Sequence, residues 1–254
     1  MNTMLIIFSA AFGLIIGSFL NCFAWRLYKE ESIMGRSYCP SCRHQINWYD
    51  NIPLLSFILL RGKCRHCQKK ISWQYPIVEF ITALLFALSF ASNSAAHDIA
   101  FLVARDWLLI SGLVLIFVYD LRWQLVPMLL VWPLTAIIII FNLFLGIPWQ
   151  EILMFGVLGT LFFLIQYIIT KRRGLGEGDI WLGLLIGVSF PHYDLLALSL
   201  ILAYFVGAIV SVILLVSGKK ELKSKVALGP FLAFGAIITL IYGHSIINWY
   251  FGLI

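Results

Sequence analysis

Charge is scarce in this sequence: 18 Lys and Arg and 12 Asp and Glu make up 12% of 254 residues, where soluble domains carry about 25%. That shortage excludes an ordinary soluble domain. Also missing are acidic or basic tails, low-complexity tracts and internal repeats. There is no Ser/His/Asp or zinc-protease motif and no glycine-rich nucleotide fold. Nothing points to a soluble second domain apart from one polar insert.

What fills the chain instead is apolar: 61% of residues are hydrophobic and the mean hydropathy is +0.95. Crossing a hydrocarbon core takes roughly 20 helical residues. Runs of that kind can be drawn at residues 3–24, 77–92, 101–119, 125–145, 151–170, 180–192, 195–217 and 230–251. They predict an all-α integral membrane protein of about eight transmembrane helices. The organisation expected is a first transmembrane helix over 1–24, a small cytoplasmic insert over 25–76 and a seven-helix membrane core over 77–254. The run at 180–192 is short, and Pro191 with His192 predicts a tight return. The first run lacks a basic start and a small-x-small cleavage site before Asn21 and Cys22, so it reads as a retained helix.

Basic residues are nearly absent from one side. Nine lie between residues 25 and 75; Arg122, the triplet Lys171, Arg172 and Arg173, and the group Lys219, Lys220, Lys223 and Lys225 follow the third, fifth and seventh runs. Only Arg105 is left for the other side. The bias of Lys and Arg toward the cytoplasm then sets both termini outside. The net charge of +6 clusters beside the membrane, which suits anionic lipid head groups better than nucleic acid. No oligomeric state is legible.

Cysteine is confined almost wholly to the insert. Cys39, Cys42, Cys64 and Cys67 form a C-x2-C-x21-C-x2-C array, the spacing of two knuckles that close four thiolates around a structural Zn2+. Four cysteines leave no open position for catalysis. His44 and His66 are alternative ligands that a four-thiolate set does not need. Between the knuckles, "WYDNIPLLSFILL" is too short to span and is expected to pack under the metal or lie against the bilayer, with Trp48 and Tyr49 at head-group depth. Cys22 reads as a small apolar side chain of the first helix.

Two carboxylates share one membrane face by topology. Asp120 ends the third helix, and "GLGEGD", containing Gly174, Gly176 and Gly178, puts Asp179 at the start of the sixth. Each has a plainer role available: Asp120 as an interfacial partner for Arg122, and Asp179 as a helix-start acid favoured by the dipole. The glycines favour function, since they allow close approach by another chain. Two carboxyls that meet share a proton and titrate as a unit, so the pair can activate water and protonate a leaving amine. His97, His192 and His244 read as interfacial or structural. Glu79, near the start of the second helix, reads as a dipole-favoured carboxylate, with a polar contact to substrate or cofactor as the other possibility.

These residues resemble the bacterial type IV prepilin peptidases, also called leader peptidases and methyltransferases, of the GxGD aspartyl protease family. The resemblance covers nearly the whole chain: "GLIIGSFLNCFAWRLY" at 13–28, the knuckles around "WYDNIPLLS", "ISWQYPIVEFITA", the Asp120 segment, "GLGEGD" and "LGPFLAFGA" at 228–236. It implies an inner-membrane enzyme with Asp120 and Asp179 as its catalytic pair, removing the basic leader of prepilins and pseudopilins after a glycine at the cytoplasmic face. It further implies methylation of the new N-terminus from S-adenosylmethionine. The glycines 174, 176 and 178 are expected to admit the substrate backbone. Two departures stand out: Met128 after Pro127 where the family often has Asp, and Trp181 where a lysine commonly follows the GxGD aspartate. Competing readings are a general intramembrane protease of the presenilin type, against which the knuckles and "LGPFLAFGA" argue, and a non-catalytic membrane scaffold.

Overall fold

A computed structural model describes residues 2–94, 99–171, 174–218 and 227–252. The basic residues Arg172, Arg173, Lys219, Lys220, Lys223 and Lys225, and His97, lie outside the described residues. Each of the eight apolar runs is occupied mainly by one helix, with residues 125–127 and 190–192 the longest stretches left outside. In chain order the helical elements are α1 (Asn2–Lys29), a 3-10 turn (Trp48–Asn51), the short α2 (Leu55–Leu59), α3 (Gln74–Asn93), α4 (Ile99–Trp123), α5 (Met128–Phe144), α6 (Trp149–Ile169), α7 (Glu177–Ser189), α8 (Tyr193–Val216) and α9 (Gly229–Gly252). The described residues contain no extended strand, only two isolated bridges.

Among the described residues six helices, α1, α3, α4, α6, α8 and α9, are long and apolar enough to cross a membrane, and α5 is a shorter apolar helix. The chain is a multi-pass membrane protein. The sixth core run is different in kind. At 1.5 Å per residue the 13 residues of α7 extend about 20 Å, short of a hydrocarbon core of about 30 Å. Its end is buried among protein groups, with Ser189 and Phe190 each under 5% exposed.

The chain forms two compact units, Met1–Ala95 and Ala96–Ile254. In the first, α1 lies against α3 at backbone contact distance. A β-carbon on Gly13 would stand 2.7 Å from the Ala83 Cα, and one on Gly17 2.7 Å from the Glu79 Cα. Small residues four apart let apolar helices approach where lipid offers no hydrophobic drive toward association. Glu79, in the second turn of α3, is buried and accepts the Leu54 N–H at 2.8 Å. That bond steadies Leu54, whose φ of +58° is a strained backbone setting for a branched residue. Arg26, also buried, donates from its guanidinium to the carbonyls of Ile33, Gly35 and Arg36, tying the start of the insert to the end of α1.

In the second unit α7 packs chiefly on α6 and α5, while α4 meets α5 and α9, and α8 meets α9. Gly183 and Gly187 make the α6 contact possible: a β-carbon on Gly183 would lie 2.5 Å from the Gly159 carbonyl oxygen, and one on Gly187 2.2 Å from that of Phe155. The far end of α7 is held by a polar group. Asn142 of α5 donates its side-chain N–H to the Val188 carbonyl at 2.6 Å, and Arg105 donates to the Asn142 Oδ1 at 3.2 Å while pairing with buried Asp106 at 2.7 Å. An end carbonyl of a half-length helix is thereby satisfied away from water, as a membrane interior demands.

Candidate active site and metal centre

Both aspartates lie in the second unit, each at the end of a helix and each buried, at 5% and 7% exposed. Asp120 falls in the last turn of α4, two turns beyond Gly112, where the helix packs on Leu134. Its carboxylate lies against the N-terminus of α9, where the Gly229 amide reaches it. A β-carbon on Gly229 would stand 2.5 Å from the Asp120 Oδ2. Only glycine leaves that carboxylate its place.

Asp179 is the third residue of α7. It accepts the Gly176 N–H at 3.0 Å and returns its own N–H to the Gly176 carbonyl at 3.1 Å. This reciprocal pair caps the helix start and fixes the carboxylate over the first turn, where the helix dipole favours negative charge. The loop is held from α6 as well, because the Tyr167 hydroxyl bonds the Glu177 carboxylate at 2.7 Å. Asp120 and Asp179 are near enough for their charges to interact. Tyr204 of α8, hydrogen-bonded to Gln166 at 2.7 Å, is also within reach of the Asp179 charge.

The three loop glycines have distinct surroundings. Gly176 supplies the amide to Asp179, Gly174 faces the Thr170 side chain, and Gly178 is covered by Val126, whose Cβ would be 2.6 Å from a β-carbon there. Met128 also reaches Gly178. One turn further along α5, Trp132 packs on Trp181 with ring centres 4.2 Å apart. The two family departures thus fall on one seam between α5 and α7, which is apolar here.

Sequence reasoning missed Gly229, Tyr204, Val126 and Asn142. Gly229 stood inside the quoted block "LGPFLAFGA", but a glycine's role depends on what it faces, and only coordinates show that. His192 precedes α8 and His244 lies exposed on α9, and among the described residues neither belongs to a cluster able to hold a metal ion. Cys22 lies 4.0 Å from the Ser37 hydroxyl, apart from the other thiols.

In the first unit the four predicted cysteines come together, their Sγ atoms all within 4.8 Å of one another. Each knuckle is built alike. The Cys39 N–H bonds the His44 carbonyl and the Cys64 N–H the Lys69 carbonyl, both at 2.9 Å. Arg43 and Gln68, each following a knuckle's second cysteine, turn the chain with φ of +56° and +57°. Cys39 and Cys67 are 3.9 Å apart, close to the roughly 3.8 Å edge of a tetrahedron with metal–sulfur bonds of about 2.3 Å. The donors therefore fit a metal ion. The backbone amide of Cys67 pulls the Cys64 thiol down to about 7. Cys42 is pushed up to about 11: the His44 amide lowers it, but desolvation and hydrogen bonds with Cys39, Cys67 and Cys64 outweigh that. The His44 and His66 rings lie against each other, with centres 3.4 Å apart and planes tilted by 35°.

Comparison with known proteins agrees with these two units. A model described as the bacterial peptidase A24 N-terminal domain matches residues 11–93, and one described as the type IV leader peptidase family matches residues 107–212. The chain belongs to the type IV leader peptidase family, a protease family, and is an enzyme. It is similar to proteins named prepilin leader peptidase/N-methyltransferase. The relative in Aeromonas salmonicida is 31% identical, with 96% of this chain and 92% of the relative covered. The one in Pseudomonas aeruginosa is 31% identical over 94% and 90%, and that in Bacillus subtilis 32% identical over 94% and 95%. No solved structure matches the chain.

Proposed function

We propose that this enzyme is an aspartic endopeptidase that cuts the leader from type IV prepilins and pseudopilins after a glycine, with Asp120 and Asp179 as its acid and base. The observation that carries the reading is the setting of the two buried carboxylates, which stand on helix ends of one unit, near enough for their charges to interact, and are each met by a glycine amide. One activates a water and the other protonates the leaving amine, chemistry that needs neither a nucleophilic side chain nor a metal. Gly174, Gly176 and Gly178 admit the substrate backbone. For Gly178 this requires the Val126 side chain to swing aside.

Eight crossings are proposed, counting α5 and α7. The active site and the cysteine insert are proposed to face the cytoplasm from a bacterial inner membrane, as the Lys and Arg distribution favours. The metal is proposed to be Zn2+, held by Cys39, Cys42, Cys64 and Cys67. It braces the insert and takes no part in hydrolysis, because four thiolates fill its coordination.

Methylation of the trimmed N-terminus by S-adenosylmethionine is supported by the names of the relatives. One groove of the first unit has a cationic rim, the wrong sign for a sulfonium.

Reconstitution with a prepilin tests the proposal. Asp120→Asn and Asp179→Asn should each lower the cleavage rate by about 10²–10⁴-fold with the protein still folded. Full-rate cleavage by either variant would remove the pair. Labelled S-adenosylmethionine in the same reaction tests methylation, and trimmed product without label would leave a peptidase alone.

A further inference from the structure

We infer that the cysteine insert carries a binding site for an anionic phospholipid, in a groove formed by α2, the second knuckle and the entry to α3. The groove encloses about 610 Å3, within the roughly 300–1,000 Å3 of clefts that hold small molecules. Its walls are mostly apolar, with Phe57 and Trp73 packed at 5.0 Å and Pro76 beside them. Its rim carries Arg61, Lys63 and Lys70 and no acidic residue.

The placing of those cations is what asks for an anion. Lys63 and Lys70 form an antiparallel bridge, so they stand directly opposite each other, an arrangement that destabilises like charges. Among the described residues neither they nor Arg61 pair with a carboxylate. Of the acids of this unit, Asp50 is bound two-pronged by Arg65, Glu79 is buried and holds the Leu54 amide, and Glu31 accepts from the Tyr38 hydroxyl. Three exposed cations around an apolar floor match a phosphate joined to hydrocarbon. They repel a basic leader peptide and a sulfonium cation alike.

The surroundings fit a membrane lipid as the source of that phosphate. The groove ends at Trp73 and Pro76, where α3 begins its span. Beside it Ile58, Leu59 and Trp73 are 68%, 70% and 70% exposed, an apolar edge that interfacial segments lay into the head-group boundary. A lipid phosphate between Arg61, Lys63 and Lys70 would put its glycerol over Phe57 and Trp73 and its chains toward the bilayer. The site is independent of the proteolytic reading, since it shares no residue with the aspartate pair.

The test uses the full chain with its metal, purified in neutral detergent, and measures binding of phosphatidylglycerol and phosphatidylcholine by native mass spectrometry. The wild type should prefer phosphatidylglycerol. Combined Arg61→Gln, Lys63→Gln and Lys70→Gln should weaken its binding on the order of a hundredfold, at roughly fivefold per cation, and leave phosphatidylcholine unchanged. A charge-matched control, Arg36→Gln with Arg43→Gln and Lys69→Gln, should keep the preference. Metal content and melting temperature report whether each variant has folded. Equal binding of the two lipids, or the same loss in the control, would overturn the site. Displacement of the lipid by glycerol 3-phosphate at comparable concentration would reduce it to a phosphate site. Displacement by S-adenosylmethionine would identify it instead as a methyl-donor pocket.

Discussion

The carboxylate of Asp120 occupies the space that a side chain at Gly229 would fill, since a β-carbon there would lie 2.5 Å from Oδ2 and 3.2 Å from Cγ. Asp120 is too short to move its head away without leaving the Gly229 amide. Gly229→Ala should therefore turn the carboxylate out of place while adding one methyl to a helix start. A displacement of about 1 Å can cost on the order of 10²-fold in rate. Prepilin cleavage by this variant should fall by at least tenfold, mostly in kcat, with the melting temperature near wild type. Unchanged kcat would show that Asp120 is not placed through Gly229.

The short helix α7 carries Asp179 at one end and depends on Asn142 at the other. Asn142→Leu removes the donor to the Val188 carbonyl and the acceptor for Arg105, leaving a buried carbonyl without a partner. The cost expected is about 1–3 kcal/mol, read as a lowered melting temperature in detergent. Arg105 keeps its ion pair with Asp106, so the loss is not that of an unpaired buried charge. Asn142→Asp, which keeps the acceptor and loses the donor when ionised, should fare no better. A melting temperature equal to wild type in both variants would remove this role.

Much of this was legible in the sequence, and the reasons are physical. Apolar runs must become helices in lipid because their backbone groups can find partners nowhere else, so each of the eight runs is occupied mainly by one helix. The cysteines were legible because metal geometry dictates a fixed spacing. Helix length was less so. Asp120 proved to lie inside α4, whose charged last turn the apolar run did not include, and α1 extends to Lys29 on a similar polar turn. Gly159 of α6 and Gly183 and Gly187 of α7 looked featureless because their use depends on a neighbour's backbone. Arg105 appeared only as the lone cation of its side, whereas its partner in space, Asn142, lies 37 residues away.

The metal site should respond to pH through its thiols. Cys42, at about 11, keeps its proton at neutral pH until a metal ion takes its place, so binding releases that proton. Affinity then falls as pH falls, and falls more steeply below about 7, where Cys64 also begins to hold a proton. Competition with a chromogenic chelator between pH 8 and pH 6 should show this steepening. Elemental analysis should find about one zinc per chain, and none in Cys64→Ser with Cys67→Ser. An affinity independent of pH would exclude thiolate ligation.

The last prediction concerns the apolar seam of α5 and α7. Trp181 stands where a lysine is common in the family, and its ring packs on Trp132 at 4.2 Å. Aromatic pairs contribute about 0.5–1.5 kcal/mol beyond the area they bury. Trp181→Lys should therefore lower the melting temperature, because the ring contact is lost and a charge enters an apolar seam. Trp181→Phe should retain most of the stability. If the seam only packs the helices, cleavage measured well below both melting temperatures stays at the wild-type rate in each variant. A selective rise in KM with Trp181→Lys would show instead that Trp181 touches the substrate, extending the binding surface from the glycine loop along α7.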